Sequence, residues 1–227
     1  MNIKQLKKKL EEFGENVRFD HDLKKKNWFN IGGKSKVFYK ADNLKDLINF
    51  LKKLNNEERI FILGAGSNTL VNDNLFDGVV IKLSKNFSNI SLLGDEIIIA
   101  GSAVLDKSLS DFAMNNSISG FEFLSCIPGT IGGGIRMNAG CFGKEFKDIL
   151  LSIQVIDKLG NVKTIPSEDI QFEYRGNDLP EDLVFLSASF KGTKGSHKKI
   201  SDEMNKLKIE KEKNQPTKIK TSGSTFK

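Results

Sequence analysis

Apolar positions along the chain change period several times, and the changes outline its elements. Leu6, Leu10 and Phe13 fall on one face of a short helix that Gly14 is placed to stop. NVRFD (16–20) and KVFYKA (36–41) alternate as strands do, with the Asn- and Gly-bearing loop NWFNIGG (27–33) between them. Asp42 is positioned to cap a helix whose apolar face is Leu44, Leu47, Ile48 and Leu51. RIFIL (59–63) and GVVIKL (78–83) are short buried strands separated by GAGSNTL. SNISLL (88–93) and EIIIAG (96–101) predict an antiparallel pair, and a helix follows over 103–116. SIQVIDKLGNVKTI (152–165) reads as a hairpin turning at Leu159-Gly160-Asn161, and DLVFLSASFKG (182–192) as one more strand. From Ser196 the pattern is charged and helical until Pro216. Strands and helices mix without regular βαβ alternation, which predicts an α+β fold.

Composition narrows the class. The chain has 227 residues and a formal charge of +6, and its only arginines are Arg18, Arg59, Arg136 and Arg175. The basic excess is lysine scattered over helices and loops, including Lys24-Lys25-Lys26, without the clustered arginines and interleaved aromatics of a nucleic-acid reader. Mild positive charge suits a small anionic substrate instead. No apolar run approaches the ~20 residues of a membrane span. MNIKQLKKKLEEFG lacks the apolar segment of a secretory signal. Cys126 and Cys141 are too few for a disulfide framework or zinc knuckle, and they fit as small side chains beside a glycine-rich stretch. A cytoplasmic protein is expected. His21 and His197 have no second ligand in register, so no metal is expected.

Two glycine-rich stretches carry the candidate chemistry. LGAGSN (63–68) follows a strand, as a dinucleotide fingerprint would, but position 69 is Thr and too few residues precede GVVIKL for a crossover helix. The loop is still able to cup a phosphate, because successive amides of a glycine-rich turn form an anion-binding nest. IPGTIGGGIRMNAGCFG (127–143) offers a second cradle. Pro128 fixes the incoming backbone, Gly129 permits a tight turn, Thr130 starts a helix whose N-terminus favours an anion, and Gly132, Gly133 and Gly134 bare the backbone. A tight packing corner between helix and sheet is the competing reading. Two such loops together favour a cofactor with two phosphates and a flat ring.

At this point the chain resembles the UDP-N-acetylenolpyruvoylglucosamine reductase family. The resemblance rests on NWFNIGG (27–33), LGAGSNTL (63–70), IPGTIGGGIRMNAGCFG (127–143), FEYRGNDLP (172–180) and SGSTFK (222–227), in the family's order. It implies the two-lobed FAD-binding fold of the vanillyl-alcohol oxidase (PCMH) type, with lobe 1 at 1–82, lobe 2 at 83–192, and a linker helix and the start of a third, substrate-binding domain at 193–227. It implies NADPH-dependent reduction of an enolpyruvyl UDP-sugar to UDP-N-acetylmuramate through non-covalent FAD, in peptidoglycan synthesis, by a monomer. By the same resemblance Gly64, Ala65, Gly66, Ser67, Asn68, Pro128, Gly129, Thr130, Gly132, Gly133, Asn138 and Gly140 hold the cofactor, with Ala139 in the same wall. Arg175 and Ser224 are the catalytic pair, and Tyr174 and Lys227 meet the substrate. A guanidinium suits charge developing on a carboxylate, and a hydroxyl backed by a cation such as Lys227 suits proton delivery.

Two departures from the family are expected to matter. Asn177 stands where the family commonly has Ser, which would adjust the orientation of Arg175. The family continues past the last motif into a domain bearing a catalytic glutamate, so a C-terminally truncated chain, inactive alone, is expected. Alternative readings are a non-catalytic FAD-binding fragment, or another flavin oxidoreductase of the same fold tethering its cofactor through Cys126 or Cys141. For Arg175 an exposed salt bridge with Glu173 or Asp178, and for Ser224 a plain loop hydroxyl, are the competing assignments.

Overall fold

The structure, a computed structural model, describes residues 3–54 and 56–215. Ser224, Lys227 and the helix-ending Pro216 of the sequence reading lie outside the described residues.

A first sheet is built from β1 (Val17–Asp22), β2 (Lys34–Ala41), β3 (Ile60–Ile62) and β4 (Phe76–Leu83), in the order β1-β2-β4-β3. β1 runs antiparallel to β2, whereas β4 is parallel to both β2 and β3. The crossover from β2 to β3 is helix α2 (Leu44–Leu54), which buries Leu47, Phe50, Leu51 and Leu54 on the sheet. Helix α1 (Ile3–Leu10) adds Leu6 and Leu10 to the same core. Two sequence expectations shift here. The first helix ends at Leu10, and Phe13 sits in a 3-10 turn (Glu11–Asn16) where Gly14 reverses the chain at φ +51°. There the Phe13 ring meets Tyr39 and Phe50 edge-on, at 5.7 and 5.3 Å, while Tyr39 and Phe50 stack face to face at 3.7 Å. The cap of α2 is Asn43, whose Oδ1 accepts from the Asp46 amide at 2.9 Å. Asp42 is turned instead to Lys40, 3.2 Å away.

A second, five-stranded sheet is antiparallel throughout. It comprises β5 (Ile90–Leu93), β6 (Ile97–Gly101), β7 (Leu150–Ile156), β8 (Val162–Pro166) and β9 (Val184–Lys191), in the order β8-β7-β9-β6-β5. β7 and β8 form the expected hairpin, closed by Gly160 at φ +82° and by the Asp157 carboxylate, which accepts from the Leu159 and Asn161 amides at 2.9 Å each. Helix α3 (Asp106–Asn115) is shorter than expected at its start. Residues 102–104 form a turn there, in which the Ser102, Ala103 and Val104 amides donate to Leu186, Phe87 and Gly101. Helix α4 (Ile131–Arg136) lies on the sheet, and helix α5 (His197–Asn214) buries Ile200, Met204 and Leu207. The Ser110 hydroxyl of α3 donates to Met204 Sδ at 3.6 Å, so α5 packs on α3 along the flank of this sheet.

The two sheets are not independent. Ile156, Val184 and Leu186 of the second sheet are buried in the same cluster as Tyr39, Leu47 and Phe50 of the first. Apolar burial, worth about 25 cal/mol per Å², therefore fixes one sheet against the other. Their shared edge opens into the site.

Candidate functional site

A cleft of about 2380 Å³ runs between the two sheets. One drug-sized ligand needs about 300–1,000 Å³, so there is room for a dinucleotide and a second ligand together. Gly64, Ala65, Gly66, Ser67 and Asn68 line the cleft from the first sheet. Pro128, Gly129, Thr130, Gly132, Gly133, Ala139 and Gly140 line it from the second, and Tyr174 and Arg175 lie on the same wall. Asn138 is the exception among the expected cofactor residues: it is fully buried behind that wall.

The first loop is locked by its neighbours. Leu63 continues the β3–β4 pairing by donating to the Ile81 carbonyl at 2.9 Å, and the chain then leaves the sheet. Gly66 sits at φ +71°, and a Cβ there would stand 2.4 Å from the Lys26 carbonyl oxygen. No other residue lets the 27–33 segment lie this close. Its carbonyl accepts from the Trp28 amide at 3.0 Å, which clamps NWFNIGG over GAGSN. Lys82, on β4, reaches under the loop and donates to the Gly64 carbonyl at 2.5 Å. Burial, then the nearby Lys26 charge, pushes the Lys82 ammonium pKa down. A cation kept out of water beside a loop of amides is suited to an anionic group.

The second loop departs from expectation. The first amides of α4 are not presented to a ligand: Ile131 donates to Val104 at 2.9 Å and Gly132 to Ser102 at 3.0 Å. A helix N-terminus free for an anion is thus not what Thr130 begins. The glycines also face protein on the side where a Cβ would project. A Cβ at Gly129 would lie 2.5 Å from Asp106 Oδ2, one at Gly132 3.1 Å from Ser102 Cβ, and one at Gly134 2.3 Å from the Phe146 ring. The packing-corner reading is therefore right for these Cβ directions, while the backbone of the same residues lines the cleft. The two loops meet: a Cβ at Gly64 would be 2.6 Å from Thr130 Oγ1.

Arg175 sits at the tip of a tight hairpin. Phe172–Glu173 pairs with Gly176–Asn177, leaving Tyr174 and Arg175 as the turn, with Arg175 at φ +63°. Its guanidinium lies 5.0 Å from the centre of the Tyr174 ring. Among the described residues no ion pair joins Arg175 to Glu173 or Asp178; Asp178 Oδ1 accepts from the Gln171 amide instead, at 2.9 Å. Two asparagines hold this turn. Asn138, at φ +39°, donates through Nδ2 to the Glu173 carbonyl (3.1 Å) and Glu145 Oε2 (3.0 Å), and its Oδ1 accepts from the Lys147 amide (3.2 Å). Asn177 donates to the Ile135 and Arg136 carbonyls, both at 3.0 Å, and accepts from the Leu179 amide at 3.2 Å. The Asn177 amide thereby ties the turn to the end of α4. Glu145, held below the usual carboxylate range by Lys147 and then by Asn138, completes the support. Asn138→Ala is expected to cost about 1–3 kcal/mol, the range for leaving a buried group without its partner. Urea unfolding measures it; an unchanged midpoint would mean the anchor is dispensable.

Cys126 and Cys141 lie on the cleft wall with their thiols in contact. A hydrogen bond from Cys141 lowers the Cys126 thiol to about 6 against the opposing effect of burial, with smaller help from Ser125 and Lys211. Cys141 is pushed up by that same bond and by burial. His21 packs against the Phe38 ring at 4.5 Å, and no cluster of three metal-ligating side chains occurs among the described residues. Sequence reasoning missed Lys82, although a lysine inside the apolar strand GVVIKL was a visible signal. It also missed Asp106 and Ser102, whose side chains are buried beside the second loop.

Comparison with known proteins agrees with this geometry. Residues 35–166 match the family described as FAD binding domain. The UDP-N-acetylenolpyruvoylglucosamine reductase of Pelagibacter ubique is 65% identical over 227 residues, covering 100% of this chain and 75% of that protein. The enzyme of the same name from Rickettsia bellii is 48% identical over 209 residues, covering 92% and 69%. The crystal structure of UDP-N-acetylenolpyruvylglucosamine reductase (MurB) from Thermus caldophilus superposes with a TM-score of 0.79 at 27% identity, over 93% of this chain and 73% of that one. With this identity over two thirds or more of its relatives' length, the chain belongs to the UDP-N-acetylenolpyruvoylglucosamine reductase family.

Proposed function

We propose that the protein catalyses NADPH-dependent reduction of the enolpyruvyl ether of a UDP-N-acetylglucosamine to UDP-N-acetylmuramate, with non-covalent FAD, in peptidoglycan synthesis. The observation that carries this reading is the meeting of the GAGSN loop and the Pro128-Gly129-Thr130 turn on one cleft, with the Arg175 turn on the same wall. The residues present fit FAD. Close-packed backbone at Gly66, a half-buried Lys82 beside Gly64, and polar atoms of Ser102 and Asp106 left without protein partners are features a phosphate- and hydroxyl-bearing cofactor would satisfy.

In the proposed site Gly64, Ala65, Gly66, Ser67 and Asn68 cradle the pyrophosphate, with Lys82 supplying charge. Pro128, Gly129, Thr130, Gly132, Gly133, Ala139 and Gly140 flank the rest of the cofactor. FAD, when bound, supplies two-electron transfer between NADPH and the enolpyruvyl carbon, a step no side chain performs. The Arg175 guanidinium stabilises the negative charge that develops on the substrate carboxylate, and its turn, pinned by Asn138 and Asn177, keeps it oriented. Tyr174 and Lys227 contact substrate, and Ser224 delivers the proton to the carbon next to the carboxylate. Residues 1–82 and 83–192 act as the two cofactor lobes, with 193–227 leading into a substrate-binding part. No helix among the described residues is long and apolar enough to cross a membrane. A monomer working in the cytoplasm fits the reading.

The test is reconstitution with FAD of the purified protein extended to the full length of its relatives. One flavin per chain, released by acid, whose yellow colour is bleached by NADPH and restored by the enolpyruvyl UDP-sugar, is the expected result. Protein that takes up no flavin, or whose bleached colour is indifferent to the sugar, overturns it.

A further inference from the structure

Asp106 opens helix α3 and is wholly buried, yet neither carboxyl oxygen has a hydrogen-bond partner. Burying such a group without a partner costs on the order of 1–3 kcal/mol or more, so an orphan of this kind calls for an explanation. The Asp106 amide donates to the Gly129 carbonyl at 3.2 Å, and its Oδ2 stands 2.5 Å from where a Cβ on Gly129 would be. Ser102 repeats the pattern one turn away. Its Oγ is buried without a partner, and its side chain packs against Gly132 on the other side of Thr130. Both residues line the cleft, behind the Gly129–Thr130 turn that meets Gly64.

We infer that Asp106 is a cofactor-positioning residue: its carboxyl, flanked by Ser102, takes a hydroxyl of the cofactor's polyol chain where that chain passes the Gly129–Thr130 turn. The inference rests on the FAD reading above. Burial holds the Asp106 carboxyl well above its usual range, which favours the uncharged acid. An uncharged carboxyl both donates and accepts, and so does a sugar-alcohol hydroxyl. A phosphate beside it would find a single donor and leave the acid's carbonyl oxygen unpaired. The hydroxyl-rich ribityl segment satisfies both oxygens. Asp106 thus trades stability of the empty protein for grip on the filled one, as orphaned polar groups at functional sites do.

The experiment compares wild type, Asp106→Leu and Asp106→Asn, each stripped of flavin. Thermal unfolding of the empty proteins and FAD titration by quenching of flavin fluorescence are read for each. Asp106→Leu is expected to raise the apo Tm by about 2–4 °C, by removing one unsatisfied group, and to weaken FAD about 10-fold or more. Asp106→Asn, which keeps a donor and an acceptor, should lose less affinity than the leucine variant. FMN, which carries the ribityl chain, should lose affinity in step with FAD, whereas ADP, which carries adenine, ribose and pyrophosphate but no ribityl chain, should bind all three proteins equally. An Asp106→Leu protein that is less stable when empty but binds FAD as wild type does would make the carboxyl a structural cap and overturn the inference. Equal weakening of ADP would also overturn it, by moving the contact to the nucleotide half. Wild-type protein that binds neither FMN nor FAD would overturn both this inference and the functional reading, a result distinct from either of the others.

Discussion

Replacing Arg175 by Ala is expected to slow reduction of the enolpyruvyl sugar by about 10²–10³-fold, the usual weight of one preorganised charge-stabilising donor. Bleaching of the protein's yellow colour by NADPH should persist, because no carboxylate gains charge in that step. The size of the effect follows from how the guanidinium is held. Arg175 occupies φ +63°, a conformation costly for a residue with a Cβ, and the surroundings must over-determine it. They do so from both sides of the turn, through Asn138 on the Glu173 carbonyl and Asn177 on two carbonyls of α4. Arg175→Lys tests the geometry separately from the charge. A lysine keeps the charge but not the planar fork that matches a carboxylate, so it should recover only part of the loss. Both steps are read by stopped-flow absorbance of the bound flavin. Equal slowing of the two steps by Arg175→Ala would show that the residue supports cofactor binding or folding, not the sugar's carboxylate.

What the sequence made legible was governed by local rules. The alternation in KVFYKA, the EIIIAG pair and the Gly160 turn all emerged as read, since period and turn chemistry are written within a few residues. The cap of α2 and the end of α1 were misplaced by one and three residues, because competing partners such as Lys40 and the Tyr39–Phe50 stack come from elsewhere in the chain. The candidate site was legible as motifs but not as contacts. GAGSN and IPGT announce themselves by composition, whereas their meeting at Gly64 and Thr130 depends on how two sheets share one core. Asn138, a cofactor residue by the family resemblance, is buried behind the wall and anchors the arginine turn, a role that depends on partners at 145 and 173. Asp106 carried no signal at all. Its oddity is the absence of a partner, which only three dimensions can show.

Gly134→Val is expected to be the most damaging single change in the second loop, costing about 3 kcal/mol or more of stability, the upper range for overpacking. Intrinsic helix preference works the other way, since glycine within a helix is unfavourable by up to about 1 kcal/mol relative to alanine. The clash outweighs it. A Cβ at Gly134 would stand 2.3 and 2.4 Å from two atoms of the Phe146 ring. That ring has no room to swing, being wholly buried and wedged between Phe123 and Phe190, with ring centres at 6.3 and 6.1 Å. The strain must therefore displace α4, and α4 carries the Ile135 and Arg136 carbonyls that hold Asn177 and the Arg175 turn. Gly132→Ala is the contrast, because its Cβ would meet Ser102 Cβ at 3.1 Å, a contact relieved by a shift of a few tenths of an ångström. It should cost about 1 kcal/mol or less. Urea midpoints of the two variants, with flavin content measured on the same samples, decide the matter. A Gly134→Val protein as stable as Gly132→Ala, with full flavin, would mean that Phe146 yields and that α4 is not the rigid support of the arginine turn.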